Sequence, residues 1–397
     1  MDVDAEVIIS GAGPAGSIAA FHLASSGFRV LILEKEQFPR YKVCGAGLTF
    51  KVLAEIPYDI TPVIETTIYS FRFSHHFKEV YTRHSDQPVM FCSDRSVLDA
   101  FMAGKASLAG ATIIMGKRVN SLEDHPDHIL VSTATRSYSG RLMIGADGAS
   151  GITASFSGLR RNIEKGLAWE AELEADPADV DHFKQSVFLD WGSFPGGYGW
   201  VFPKKDHFSV GVGGPASLSR QMMPYYQYFI RSTGIRFGAT RSLRSWPIPV
   251  RSRRSAFHRG KIMVAGDAGG LTDPLTGEGI WFAVISGRLA AEAAIEYLRG
   301  QRTDLSHYSA AVNNVLMPEI LEANRIRYIF NAAPRKIHLL IMSQDRYWRA
   351  FGKILRGERK YADVQTGFGR SAFLWNLIVT ISKLIYRWKE RQARKQS

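Results

Sequence analysis

The sequence predicts an α/β protein in which a parallel nucleotide-binding sheet carries an inserted antiparallel-sheet domain and is followed by a helical C-terminal region. Three observations predict it. Residues 6–34 read strand, glycine-rich turn, helix, strand, acid. Residues 141–150 and 261–270 each run as a strand into a glycine–aspartate turn. Between them, Tyr198, Trp200 and Phe202 alternate with other residues as in a strand that presents one aromatic side. The expected division is discontinuous: residues 1–60, 90–160 and 260–330 for the nucleotide domain, 61–89 and 161–259 for the sheet domain, and 331–397 for the helices.

A chain of 397 residues with 45% hydrophobic and 12% aromatic content suits two domains with a tail and a large apolar interior. The two cysteines, Cys44 and Cys92, have no disulfide or metal-site spacing, so no metal is expected. The N-terminus lacks a basic region before its first apolar run, which argues against a signal peptide and for a cytoplasmic protein. The net charge of +13 is uneven, because residues 383–397 hold six basic residues against the single acid Glu390. No nucleic-acid motif accompanies that cluster. An anionic membrane surface or substrate accounts for it as well.

The first strand, Glu6 to Ser10, leads into Gly11-Ala-Gly13-Pro-Ala15-Gly16 and a helix over 17–26. A second strand over 29–33 ends at Glu34, with Lys35 beside it. This is the Rossmann-type dinucleotide fingerprint in its required context. Gly11 permits the tight turn, Gly13 admits the pyrophosphate, and Gly16 allows close packing of helix and strand. The helix N-terminus offers unpaired N–H groups to phosphate, and Glu34 would accept hydrogen bonds from a ribose diol. Gly11, Gly13, Ala15, Gly16, Glu34 and Lys35 are therefore candidate cofactor contacts.

The segments Gly145-Ala-Asp147-Gly and Gly266-Asp267, the latter continuing to Asp273-Pro-Leu-Thr-Gly277-Glu-Gly279-Ile280, resemble those of FAD-dependent enzymes with the para-hydroxybenzoate hydroxylase fold. The resemblance implies FAD as cofactor, with Asp267 at its ribityl-phosphate region and Gly277, Gly279 and Ile280 along the flavin pyrimidine edge. A helix over 281–298 would aim N–H groups at the flavin. Arg95 resembles the group's arginine at the head of a helix that reaches the cofactor, with Asp94 or Ser93 as N-cap. Val119, after a strand at 112–115, would lie near the adenine.

Residues 37–49, containing Arg40, Cys44, Gly45, Ala46 and Gly47, resemble a segment shared by geranylgeranyl reductases and flavin halogenases that runs beside the isoalloxazine. Ala46 departs from the reductase pattern, which usually has glycine there. The pattern Tyr198-x-Trp200-x-Phe202-Pro203, seven residues, then Gly211-x-Gly213 resembles the geranylgeranyl reductase signature; the halogenases' Trp-x-Trp-x-Ile-Pro is absent. By itself the segment reads as a hairpin, with Pro203 ending the pairing and Gly211 and Gly213 flanking a second short strand to admit something bulky.

The resemblance implies an FAD-dependent reductase that saturates double bonds of a prenyl diphosphate or prenylated lipid, with hydride from reduced flavin N5. A nearby acid or water would protonate the other alkene carbon, with Tyr198 or Cys44 as the candidate donor, and the aromatic segment would line the chain's cavity. The alternatives are a flavin monooxygenase of the same fold and a non-catalytic FAD-containing prenyl-lipid binding protein. The external electron donor, NADPH or ferredoxin, is left open because a second dinucleotide fingerprint is missing. An anionic head group would meet Lys204 and Lys205, or Arg251, Arg253, Arg254 and Arg259. Residues 371–388, apolar with Trp375, Tyr386 and Trp388 and a basic end, read either as an interfacial helix on a membrane or as a cover over the cavity.

Overall fold

In the computed structural model, residues 3–366 and 372–396 are described. Five strands form the parallel core in the order Thr112–Met115, Val30–Glu34, Ala5–Ser10, Ser137–Gly145 and Ile262–Val264. Val30–Glu34 is buried along its whole length, as its unbroken Val-Leu-Ile-Leu run requires of a strand covered on both faces. One face is covered by the helices Pro14–Ser25 and Ile280–Leu298. Their backbones meet: a Cβ on Gly287 would fall 2.3 Å from the Ala15 carbonyl oxygen. The other face is covered by the antiparallel strands Ser121–Asp124 and Ile129–Ser132 folding back from Ser137–Gly145.

The second sheet has seven strands, in the order Phe237–Arg251, Ile163–Ala175, His207–Pro215, Tyr198–Pro203, Ser186–Trp191, Ser70–His75 and Lys78–His84. Every neighbouring pair is antiparallel except Ser186–Trp191 with Ser70–His75, which is parallel. Those two strands lie in separate segments of the chain, so no hairpin turn fixes their direction. Helix Ser219–Ser232 covers one face, where Phe229 packs over Gly199. The other face looks toward the nucleotide sheet. The helices Met317–Ala332, Pro334–Ser343, Asp345–Leu355 and Ala372–Lys395 close the far end, and Trp348 sits against Phe71 and Phe73.

One expectation is corrected by the register. Gly211 and Gly213 do not flank a short strand; they lie inside the nine-residue strand His207–Pro215, directly opposite Trp200 and Tyr198. Pro203 is the last residue of its strand.

A candidate cofactor and substrate cavity

A continuous cavity of about 1660 Å³ runs from the carboxyl ends of the parallel strands to the C-terminal helices. That exceeds the roughly 300–1,000 Å³ of a site for one small ligand. The position is the expected one for an open α/β sheet, where ligands bind beyond the strand ends.

At the nucleotide end the three fingerprint glycines have different physical reasons. Gly11 has φ +96°, and a Cβ there would lie 2.5 Å from the Ala146 oxygen. A Cβ on Gly16 would meet the Gly11 carbonyl oxygen at 2.0 Å. A Cβ on Gly13 would instead stand 3.7 Å from Arg40 at the cavity wall, so this glycine keeps the loop surface open. Helix Pro14–Ser25 has no side-chain cap, leaving its first N–H groups directed at the cavity. Buried Glu34 accepts from Ala12 N at 2.8 Å and Glu36 N at 3.0 Å, so the acid that ends the strand also shapes the loop. Ala15, Glu34, Lys35 and Val119 all line the cavity.

Beside them Asp99, fully buried, receives two hydrogen bonds of 2.8 Å from Arg95 and a contact of 3.0 Å from Arg40. Burial works against the Arg95 charge, but Asp99 and then Cys44 outweigh it and raise the pKa further. Asp94 caps the helix, accepting from Ser96 N at 2.6 Å. Arg40 and Arg95 are thus held as a fixed cationic pair on the cavity wall.

Opposite, Asp267 stands in the turn Gly266–Gly269 and lines the cavity with Gly277, Gly279 and Ile280. Gly277 has φ +76°, and Gly279 leads into Ile280–Leu298, another helix whose start lacks a side-chain cap. Asp273 folds the intervening loop by accepting from Leu275 N and Thr276 Oγ1, each at 2.7 Å. Glu278 fastens it to the cysteine segment through Thr49 Oγ1 at 2.8 Å and Lys51 at 2.6 Å. Lys42 lies 4.2 Å from the centre of the Trp246 ring, and burial lowers its pKa to about 8. Two uncapped helix starts, an open glycine loop and a buried carboxylate at the strand end fit a dinucleotide cofactor such as FAD.

The aromatic wall divides this region from the apolar lobe. The Trp200 indole lies across Gly211, where a Cβ would be 2.1 Å from Cζ2. Phe202 packs on Gly45, where a Cβ would be 2.5 Å from its ring, and touches Gly47. Tyr198 donates to the Thr276 carbonyl at 2.9 Å, directly over Gly277. The bulky groups that need Gly211, Gly45, Gly47 and Gly277 are therefore the protein's own rings, whereas a Cβ on Gly213 would meet its neighbours at 3.4 Å or more. Neither Gly211 nor Gly213 lines the cavity, which corrects the reading that they make room for a ligand. Burial, with Asp273 and Cys44 nearby, raises the Tyr198 pKa and keeps the phenol protonated. Half-buried Cys44 accepts from Ala46 N at 3.3 Å. Ala46 has φ +47°, the left-handed region where a side chain costs roughly 1–2 kcal/mol. The chain adopts the turn without the usual glycine.

Cations proposed for an anionic head group are not at the cavity. Lys204 is fully buried, donating to Gly45 O at 2.8 Å and Ser93 O at 2.5 Å. Arg251 is buried too, bonded to the Gly269 and Leu159 carbonyls. Lys205, Arg253, Arg254 and Arg259 also lie away from the lining, with Arg253 on Asn162 and Arg259 on the Ser157 carbonyl. The cations that line its far end are Arg327, Arg387, Arg391 and Arg394. Sequence reasoning also missed Glu170, buried beneath the wall between Ser209 Oγ at 3.0 Å and the Tyr41 hydroxyl. Burial and then Glu172 push its pKa up to about 8.

A protein-family model described as an FAD binding domain matches residues 4–315. The chain belongs to that family. This flavoprotein is 25% identical over 374 residues to the chloroplastic geranylgeranyl diphosphate reductase of Arabidopsis thaliana, covering 86% of this chain and 78% of that one. It is 28% identical over 332 residues to the digeranylgeranylglycerophospholipid reductase of Methanocella arvoryzae, covering 80% and 84%. A geranylgeranyl bacteriochlorophyll reductase-like protein from Thermoplasma acidophilum superposes with a TM-score of 0.72 at 22% identity, over 82% and 87% of the chains. A flavin-dependent brominase does so with 0.73 at 19%, over 95% and 98%. At such identities both structures show the fold alone. The flavoprotein is an FAD-dependent oxidoreductase with geranylgeranyl reductase-like relatives.

Proposed function

We propose that this flavoprotein hydrogenates isoprenoid double bonds of a prenyl diphosphate or prenylated lipid. The observation that carries the reading is the wall of Tyr198, Trp200 and Phe202, seated on Gly211, Gly45 and Gly47 between the nucleotide loops and an apolar lobe lined by Phe71, Phe73, Trp348 and Phe351. A polyprenyl chain matches such a lobe, because burying apolar surface is its main source of affinity. The reductase relatives support the substrate class.

When bound and reduced, FAD supplies the hydride. The remaining work falls to the chain's own groups. Gly11, Gly13, Ala15, Glu34 and Lys35 would hold the nucleotide half, with Arg40, Arg95 and Val119 beside them, while Gly16, which does not line the cavity, would act by letting the helix pack on the loop. Asp267, Gly277, Gly279, Ile280 and the segment Cys44–Gly47, which line the cavity, would hold the flavin half. The aromatic wall aligns the alkene and keeps water out, which favours productive geometry and protects the reduced cofactor. Protonation of the second alkene carbon is assigned to Tyr198, a buried neutral phenol, or to the Cys44 thiol.

Anaerobic turnover with chemically reduced enzyme and a geranylgeranyl lipid, read by mass spectrometry, tests this. Two added hydrogens per double bond are expected. Hydroxylated product that requires oxygen would make the chain a monooxygenase, and lipid binding without turnover would make it a binding protein. Full turnover by both Cys44→Ser and Tyr198→Phe, with FAD retained, removes these two residues from proton transfer.

A further inference from the structure

Helix Ala372–Lys395 is mounted with its more apolar side outward. Its inner stripe, including Trp375, Ser382, Tyr386 and Ala393, is buried. Tyr386 packs on Tyr328 with ring centres 5.8 Å apart, and Lys389 Nζ donates to Ala332 O at 2.8 Å. The outer stripe carries Phe373, Leu377, Ile381, Leu384, Ile385 and Trp388, each between 40 and 67% exposed. Their spacing of three and four residues keeps them on one side of the helix. Of the fifteen exposed large hydrophobic residues among the described residues, eight are on this helix, and the other seven are scattered over the rest of the fold. An apolar face this concentrated on a soluble surface marks a binding site.

Charge decides the occupant. The same helix ends in the exposed cations Arg387, Arg391, Arg394 and Lys395, on a chain of net charge +13. A second copy would bring like charges together, whereas an anionic bilayer complements both the stripe and its basic end. No helix among the described residues is long and apolar enough to cross a membrane. We infer that helix 372–395 lies in the interface of an anionic lipid bilayer, its outer stripe among the acyl chains and its C-terminal cations at the head groups. The inner side of this helix forms part of the cavity wall through Trp375 and Tyr386, and the exposed Arg387, Arg391 and Arg394 border the same cavity, so the docked cavity faces the lipid surface. The outer stripe carries the inference whatever the cavity reduces.

The test is co-sedimentation of the full FAD-loaded chain with phosphatidylcholine vesicles, with and without one-third phosphatidylglycerol, at 0.1 and 0.5 M salt. At least tenfold more binding to the anionic vesicles is expected, reduced by high salt. The double variant Leu377→Glu/Leu384→Glu should lose at least tenfold while keeping its FAD content and its turnover of a detergent-dispersed substrate. Native chain left in the supernatant, or a variant that binds as well as native, overturns the inference. So does a native dimer that the variant converts to a monomer with no vesicle binding by either form, because the stripe is then an interface between copies. Failed vesicle binding with intact turnover leaves the proposed reductase activity standing; the reverse result leaves the docking standing.

Discussion

Replacing Gly211 by alanine would drive a methyl group into the aromatic wall. The added Cβ would lie 2.1 Å from Trp200 Cζ2, 2.5 Å from Cε2 and 2.7 Å from the Trp169 carbonyl oxygen. Carbon atoms rest at about 3.5–4.0 Å, so the indole would have to withdraw by about 1.4 Å or more. The Trp169 oxygen belongs to the paired strand Ile163–Ala175 and moves only if the ladder opens. Overpacking of this kind costs about 1–3 kcal/mol, partly offset by the roughly 0.5–1 kcal/mol that alanine regains over glycine in a strand. The net expectation is a loss of about 1–2 kcal/mol. Gly213→Ala is the control, since its Cβ would meet Trp200 at 3.4 Å and Tyr198 at 3.6 Å, close to ordinary contact. That variant should be neutral or slightly more stable. Urea denaturation of both FAD-loaded variants checks the difference, and turnover should fall at least tenfold for Gly211→Ala alone. In the double variant Trp200→Leu/Gly211→Ala the stability losses should be non-additive by about 1 kcal/mol or more. Equal stability and equal turnover of the two single variants would refute the claim that Gly211 exists to seat the indole.

Lys204→Met should cost about 2–3 kcal/mol, because it strands the half-buried Gly45 and buried Ser93 carbonyls, and it should weaken FAD binding through the loosened Gly45 segment. Thermal denaturation and flavin fluorescence titration check this, and unchanged values for both would contradict the anchoring role. Glu170 makes a prediction about pH. Its folded pKa of about 8 stands above the ordinary 4.5, so its contribution to stability is complete below pH 4.5 and is lost as pH rises through 8. The slope from this one group reaches at most about 1.4 kcal/mol per pH unit. Glu170→Gln should flatten that loss in denaturation measured at pH 5, 6.5 and 8, whereas an unchanged slope would show that the carboxyl is ionised in the fold.

Much of the cofactor end was legible because its chemistry is local. A strand, a turn and a helix N-terminus within some thirty residues make a phosphate cradle wherever the unit is placed, so Gly11, Gly13, Gly16 and Glu34 can be read from spacing as candidates. Asp94 as the cap of the Arg95 helix is equally local, and the structure places it there. The family resemblance of the cysteine and Tyr198 segments rests on short motifs of the same kind.

What the tertiary structure decided depends on neighbours far away in sequence. That Gly211 faces Trp200 is a matter of register across a strand pair, and a shift of one residue would have turned it to the other side. Lys204 and Arg251 look like solvated loop cations until the fold brings the Gly45, Ser93, Gly269 and Leu159 carbonyls around them. Glu170 meets Tyr41 across 129 residues, and no local pattern signals a carboxyl that will be desolvated there. The tail shows the same division. Its composition determined an amphipathic helix with a basic end, but its two sides compete in apolarity, and only packing against Tyr328 and Ala332 decided which one covers the cavity and which faces outward.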